Sequence, residues 1–302
     1  MYSGITYFKE DLKIGDLNIV QKAHISYTED KEPVIGMIHD ALVLGIRDYF
    51  EKLGFKKAII GLSGGIDSAL TAVLAAEALG KENVYNVLMP SEFSSEHSVK
   101  DAIQLAKNVQ MPYDTISIEE AYNTFEDTLK PYFKNLPFGI AEENIQARTR
   151  GLLLMALSNK FGYILLNTSN KSEAAVGYST LYGDMNGGLS VLGDVYKTQV
   201  FELARYYNRN GEIIPLNIIN KPPSAELRPD QKDSDSLPEY HILDEVLFQY
   251  IEKRLGPKEI IGLGFDEQLV QRILKLVNMS EYKRHQTPPI LRVSSKAFGM
   301  GR

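Results

Sequence analysis

Hydrophobic positions along the chain change period several times, and the changes mark elements. From Pro33 the apolar residues Ile35, Ile38, Leu42, Ile46, Tyr49, Phe50 and Leu53 recur at helical spacing. Pro33 suits the first turn of that helix and Gly54 its C-terminal stop. An alternation follows. Ala58 to Leu62 is a short apolar run that reads as a buried parallel strand, and Ser68 to Leu79 is an Ala- and Leu-rich helix ended by Gly80. Strands predicted at Val84 to Met89, Tyr113 to Ile118 and Tyr163 to Asn167 are separated by helices at Ser98 to Val109, Glu119 to Phe133 and Glu142 to Phe161. Strands alternating with helices of this length predict βαβ units: an α/β fold with a doubly wound parallel sheet and helices on both faces.

Beyond Thr168 the pattern loosens into a helical and loop-rich C-terminal part. Residues 183–193 are Gly-rich and 221–238 Pro-rich and polar, so both are expected to be surface loops. Helices return at Val195 to Tyr207, Tyr240 to Leu255 and Glu267 to Val277. Residues 1–32 carry weak periodicity, with a possible strand at Leu17 to Val20, and read as an extension or linker ahead of one domain over 33–302. No internal repeat is present.

Composition narrows the classes. The 302 residues are 44% apolar and 24% charged, a globular balance. The net charge of −6 comes without a basic block, which disfavours a nucleic-acid partner. No apolar run approaches the roughly 18 residues of a membrane span, and Met1 to Asp16 resemble neither a signal peptide nor a transit segment. A cytoplasmic protein is the expectation. Cysteine is absent, which removes disulfides, thiolate zinc and cysteine nucleophiles from this chain. None of the five histidines sits in a recognisable catalytic motif.

The most informative segment is Gly61, Leu62, Ser63, Gly64, Gly65, Ile66, Asp67 and Ser68, placed between an apolar strand and a good helix. The glycines permit unusual backbone angles and close approach by a ligand. Helix N-terminal N–H groups with the hydroxyls of Ser63 and Ser68 make an anion cradle. A carboxylate at Asp67 repels phosphate unless a divalent cation lies between them. A plain strand-to-helix turn with a serine cap is the competing reading. The string is neither the Walker pattern nor the dinucleotide Gly-x-Gly-x-x-Gly fingerprint.

Further stretches carry candidate chemistry. Asn144 and Arg148 are four apart on a predicted helix and share a face suited to gripping a polar ligand, with Arg150 pointing elsewhere; alone they read equally as a solvated helix end. Asn167 to Glu173 follows the fourth predicted strand at its carboxyl end, where open α/β sheets bind ligands. There Thr168 offers a hydroxyl and Glu173 a second carboxylate, though Ser/Thr…Glu is also a helix capping box. Gly177 to Asp184 leads into the Gly-rich loop, and Lys197, by default a solvated surface charge, opens a helix. Lys221 to Arg228 and Glu281 to Pro289 are polar stretches without strong intrinsic structure.

The loop resembles the pyrophosphate loop of the N-type ATP pyrophosphatases, and the five motifs in order, from about Pro33 to the end, resemble NAD synthetase, the synthetase part of the glutamine-dependent form. That resemblance implies an adenine nucleotide alpha hydrolase-like, Rossmann-like fold. It implies adenylation of the deamido-NAD carboxylate by ATP, departure of pyrophosphate, and displacement of AMP by ammonia. An acceptor other than deamido-NAD, or a non-catalytic nucleotide-binding partner of an amidase, are the alternatives. Residue by residue, the resemblance places Gly61 to Ser68, Thr168, Lys197 and Ser224 on ATP, and Asp67 and Glu173 on Mg2+. It places Asn144, Arg148, Glu173, Tyr178, Ser179, Thr180, Leu181, Asp184 and Lys283 on deamido-NAD, with Asp67, Glu173 and Lys197 as the catalytic set. Leu181 stands where the shorter ammonia-only relatives have a lysine. The resemblance further implies a homodimer. The family's nitrilase-like glutaminase uses a Glu-Lys-Cys triad; about 32 residues precede the synthetase-like region here, with no cysteine, so that partner is expected to be missing, on another chain or outside this stretch.

Overall fold

The computed structural model describes Phe8 and residues 34–298 apart from Asn135 and Asp230; the strand expected at Leu17 to Val20 lies outside the described residues. Helix α1 (Val34–Leu53) leads into β1 (Ala58–Gly61), α2 (Ile66–Leu79), β2 (Val84–Leu88), α3 (Glu96–Val109) and β3 (Tyr113–Thr115). Helices α4 (Glu119–Phe133) and α5 (Ile140–Phe161) precede β4 (Ile164–Asn167), α6 (Lys171–Val176) and β5 (Leu189–Ser190). The chain continues through α7 (Lys197–Tyr207), α8 (Leu216–Asn220), α9 (Tyr240–Ile251), α10 (Pro257–Gly262), α11 (Glu267–Met279) and α12 (Glu281–Arg284). Gly54 ends α1 at φ 76°, the left-handed stop its position predicts.

The five strands are all parallel, in the order β3-β2-β1-β4-β5. The chain therefore winds outward one way from β1 and then the other way through β4, so the crevice between β1 and β4 opens at the carboxyl edge. Strand β1 shows why its sequence is continuously apolar. Ala58 and Ile60 face a core shared with α1, α2, α3 and α7, while Ile59 faces a second core with Leu154 of α5 and Ile118. A third cluster, from Ala175 and Val176 of α6 to Val277, gathers α9, α10 and α11 into the C-terminal helical layer. Among the described residues no helix is long and apolar enough to cross a membrane.

One expectation fails. Residues 183–193 are not a surface loop: Met185, Leu189, Val191 and Leu192 are buried, and Leu189–Ser190 form β5 on the sheet edge. Glycine makes this possible. A Cβ on Gly187 would lie 3.0 Å from the Leu165 carbonyl oxygen, so only a bare backbone comes this close to β4. The edge beyond β5 is met by the C-terminal segment, where Ser190 pairs with Ile290 in a parallel bridge. The described residues of 221–238 lack regular structure except a turn of 3-10 helix at Asp233–Asp235, and they too bury Asp233 and Leu237.

Candidate functional site

The glycine loop leaves β1 and turns into α2 at the head of the crevice. At Gly64 the backbone has φ 81°, and a Cβ would fall 2.1 Å from the Ser98 carbonyl oxygen. Both the turn and its packing on α3 thus demand glycine there. Ser68 Oγ donates to the Gly65 carbonyl at 3.0 Å and accepts from the Ser63 amide at 3.3 Å, so the hydroxyls brace the loop. The first-turn N–H groups of α2 have no intrahelical partner and face outward from the helix end.

A cavity of about 300 Å³ opens over this loop. Its walls come from the glycine loop, the ends of β2 and β4, helix α5 and residues 221–227. Of the residues singled out in sequence, Gly61, Leu62, Ser63, Gly65, Ile66, Asp67, Ser68, Thr168, Glu173, Tyr178, Asp184, Lys197 and Ser224 line it. Asn144, Arg148, Ser179, Thr180, Leu181 and Lys283 are not on its wall; they hold one another. Thr180 Oγ1 donates to Asn144 Oδ1 at 2.7 Å, Arg148 Nε to the Leu181 carbonyl at 3.1 Å, and Lys283 Nζ to the Gly177 and Ser179 carbonyls at 2.8 and 2.6 Å. Their bonds fix the segment that presents Tyr178 and Asp184.

Lys197 is the centre of charge. Its side chain is only 2% exposed, and its ammonium meets Asp67 Oδ2 at 2.5 Å and Glu173 Oε1 at 3.1 Å. Burial works against the ammonium, but the two carboxylates outweigh it and hold the lysine well above its ordinary range. Burial likewise pushes the Glu173 carboxyl up, against the pull of Lys197 and with the push of Asp67 and Asp233. Asn170 ties the pair together: Nδ2 donates to Asp67 Oδ1 at 2.8 Å, while Oδ1 caps α6 at the Glu173 amide, 2.9 Å away. Among the described residues no three His, Cys, Asp or Glu side chains gather into a metal cluster. Two hard carboxylates converging on one positive charge do fit Mg2+, which takes one or two protein carboxylates and completes its shell with phosphate and water.

Several wall residues were given no individual role by the sequence. Arg150, which the helical wheel turns away from Asn144 and Arg148, lines the cavity; Nε donates to the Met89 carbonyl at 3.0 Å and Nη2 to Ser91 Oγ at 3.1 Å. Burial lowers its guanidinium to about 10 despite the nearby Glu226 and Asp184. Lys221 and Glu226 also line the wall, held to the start of α3 through Ser98 Oγ at 2.8 and 2.6 Å. Asn170, Asp233 and Arg150 gain their importance from partners far away in the chain, which no local pattern reveals.

A parallel sheet of this order, with a glycine loop and a buried carboxylate–lysine set at its switch point, defines a Rossmann-like α/β protein with its cavity at the carboxyl edge of the sheet. The NAD synthase family model matches residues 38–287. A glutamine-dependent NAD(+) synthetase of Synechocystis is 54% identical over 291 residues, covering 96% of this chain and 51% of that protein. This chain belongs to the NAD synthase family. Among solved structures, the glutamine-dependent NAD+ synthetase of Acinetobacter baumannii in complex with ADP matches with TM-score 0.62 and 46% identity, over 89% of this chain and 49% of that one. The NMN synthetase of Francisella tularensis matches with TM-score 0.71 and 29% identity, over 83% and 95%. The chain spans about half the length of the curated relatives it matches.

Proposed function

We propose that this chain converts deamido-NAD to NAD by ATP-dependent amidation. The observation that carries the reading is the convergence of Asp67, Glu173 and Lys197 beside the glycine loop, within the cavity, in a chain of this family. Gly61 to Ser68, Thr168, Lys197 and Ser224 would hold the phosphates of ATP. Asp67 and Glu173 would hold magnesium, which when bound neutralises phosphate charge. Glu173, Tyr178 and Asp184 would meet deamido-NAD directly; Asn144, Arg148, Ser179, Thr180, Leu181 and Lys283 would shape the rim around it.

In this reading a nicotinate carboxylate oxygen attacks the α-phosphorus in line, and the bond to pyrophosphate breaks with its electron pair leaving on pyrophosphate. Lys197 offsets the charge that grows there. Ammonia then attacks the carbonyl carbon of the acyl-adenylate, the C–O bond to AMP breaks, and the surplus proton passes to solvent. No protein nucleophile is needed, and positioning supplies most of the acceleration. Closure of residues 224–238 over the intermediate would exclude water, while residues 183–193, tied into the sheet by β5, would stay in place. The family resemblance supports a homodimer, with α5 as the proposed interface. A cytoplasmic location and a separate or N-terminal nitrilase-like glutaminase as ammonia source belong to the same proposal.

The test is the purified chain with magnesium-ATP, deamido-NAD and either ammonium chloride or glutamine. NAD, AMP and pyrophosphate are expected with ammonium, more rapidly as pH rises and free ammonia grows. Glutamine should fail, because the family's amidase route needs a thiolate and this chain has no cysteine. The likeness to an NMN synthetase makes the mononucleotide counterpart the competing acceptor. Pyrophosphate release that follows that acceptor instead would transfer the reading to it, and nucleotide binding without turnover on either would refute amidation.

A further inference from the structure

The first turn of α7 carries Lys197, yet its own N-cap residue, Tyr196, makes no side-chain cap hydrogen bond. A helix start needs partners for its first N–H groups, and here they come from two other helices. The Lys197 amide donates to Ser172 Oγ of α6 at 2.9 Å, and the Thr198 amide donates to Asp244 Oδ2 of α9 at 2.8 Å. Ser172 Oγ passes its single proton to Asp244 Oδ1 at 2.5 Å. Ser172 is fully buried and Asp244 is 5% exposed, so water does not compete for these bonds. A carboxylate at the positive end of α7 is also favoured by the helix dipole.

The neighbours give this clamp its meaning. Ser172 directly precedes Glu173, and the two amides it shares with Asp244 belong to Lys197 and the residue after it. One buried carboxylate from the C-terminal helical layer therefore holds the Ser172 side chain, next to Glu173, and the Thr198 amide, next to Lys197, and the charged atoms of that pair stand 3.1 Å apart. We propose that Asp244 is a positioning residue: through Ser172 and the Thr198 amide it sets the spacing of Glu173 and Lys197, and with it the place of magnesium and pyrophosphate in the cavity. It touches neither substrate nor metal, and it does not line the cavity. The inference rests on the reading of Glu173 and Lys197 as metal and phosphate groups.

Asp244→Asn tests it at nearly constant shape. An amide has one acceptor oxygen where the carboxylate has two, so whichever way the group turns either the Ser172 hydroxyl proton or the Thr198 amide is left without its acceptor. The expected result is a folded variant whose kcat falls about 10- to 100-fold and whose magnesium half-saturation rises by a similar factor, as for other groups that orient metal ligands. KM for the dinucleotide, which Tyr178 and Asp184 would hold besides Glu173, should rise by less than the magnesium half-saturation does. Calorimetry with a non-hydrolysable ATP analogue should show a larger loss of affinity with magnesium than in EDTA. Ser172→Ala should reproduce the direction, and the double variant should be no worse than Asp244→Asn alone, because both act through one relay. Normal magnesium half-saturation in a folded Asp244→Asn, equal loss in every parameter, or additive single effects would each overturn the proposal. If Asp244→Asn does not fold, a normal Ser172→Ala overturns it as well. A wild-type chain that releases no pyrophosphate would sink the amidation reading, while the calorimetric comparison still decides the positioning one.

Discussion

Gly64→Ala is the sharpest probe of the glycine loop, because the structure separates its two costs. The backbone at Gly64 has φ 81°, where a side chain costs about 1–2 kcal/mol. The new Cβ would also sit 2.1 Å from the Ser98 carbonyl oxygen in the first turn of α3, a backbone atom that cannot rotate away. Overpacking of this kind adds about 1–3 kcal/mol, for a total loss of about 2–5 kcal/mol. Gly54→Ala is the control: φ is 76° and nothing lies within 4 Å of its Cβ, so it bears the dihedral cost alone. Urea unfolding followed by far-ultraviolet circular dichroism suits a chain with no tryptophan. The difference between the two variants should be about 1–3 kcal/mol. Relief of the clash to an ordinary contact of 3.4 Å means a loop shift of about 1.3 Å, and a misplacement near 1 Å costs about 100-fold in rate. Pyrophosphate release by Gly64→Ala should fall accordingly while Gly54→Ala stays normal. Equal stability loss in both variants, or normal turnover in Gly64→Ala, would refute the claim that loop geometry is set by its contact with α3.

Asp67→Asn should fold normally, since one of its partners is the neutral Asn170, yet lose about 2–4 kcal/mol of transition-state stabilisation; unchanged melting with near-normal turnover would remove Asp67 from the mechanism. His39 gives a pH signature of stability. Burial disfavours its charge, but hydrogen bonds to Glu77 and Asp40 outweigh this and raise it above 6.5, while the His39 bond holds Glu77 below 4.5. A raised histidine stabilises fully below 6.5 and loses that contribution as pH climbs through its folded value; a lowered carboxylate does so in reverse as pH falls below 4.5. Wild type should therefore lose stability between neutral and mildly alkaline pH, and His39→Gln should flatten that slope; identical slopes would show the imidazole to be neutral in the folded protein.

Much of this protein was legible one segment at a time. The strand–glycine loop–helix unit at 58–79 is readable because its determinants are contiguous: an apolar run for a strand buried on both faces, glycines where the backbone must turn, and a helix of good formers behind. The same holds for α1 with its stop at Gly54, and for α4, whose Glu119–Phe133 bounds agree with the pattern. Short elements escaped. Helix α6 is six residues long and β5 two, too short for a period to show, and β5 is strand only because Gly187 and Gly188 let it lie against β4.

Tertiary structure decided the chemistry of individual side chains. Lys197 and Asp67 are 130 residues apart in the chain, so nothing near Lys197 distinguishes a buried counter-ion from a solvated surface lysine. Asn144 and Arg148 share a helix face as expected, yet that face meets the 180–181 segment, and it is Arg150, two residues on and on the other side of the helix, that reaches the cavity. Sequence by itself determined the parallel α/β frame, the glycine turn between β1 and α2 and the family to which the motifs point, because backbone sterics and hydrophobic period act over neighbouring residues. Only the fold could decide which charges are desolvated, which carboxylate meets which cation, and that Asp244, without a motif of its own, grips both Ser172 and Thr198, because electrostatic pairing acts between groups that the chain brings together last.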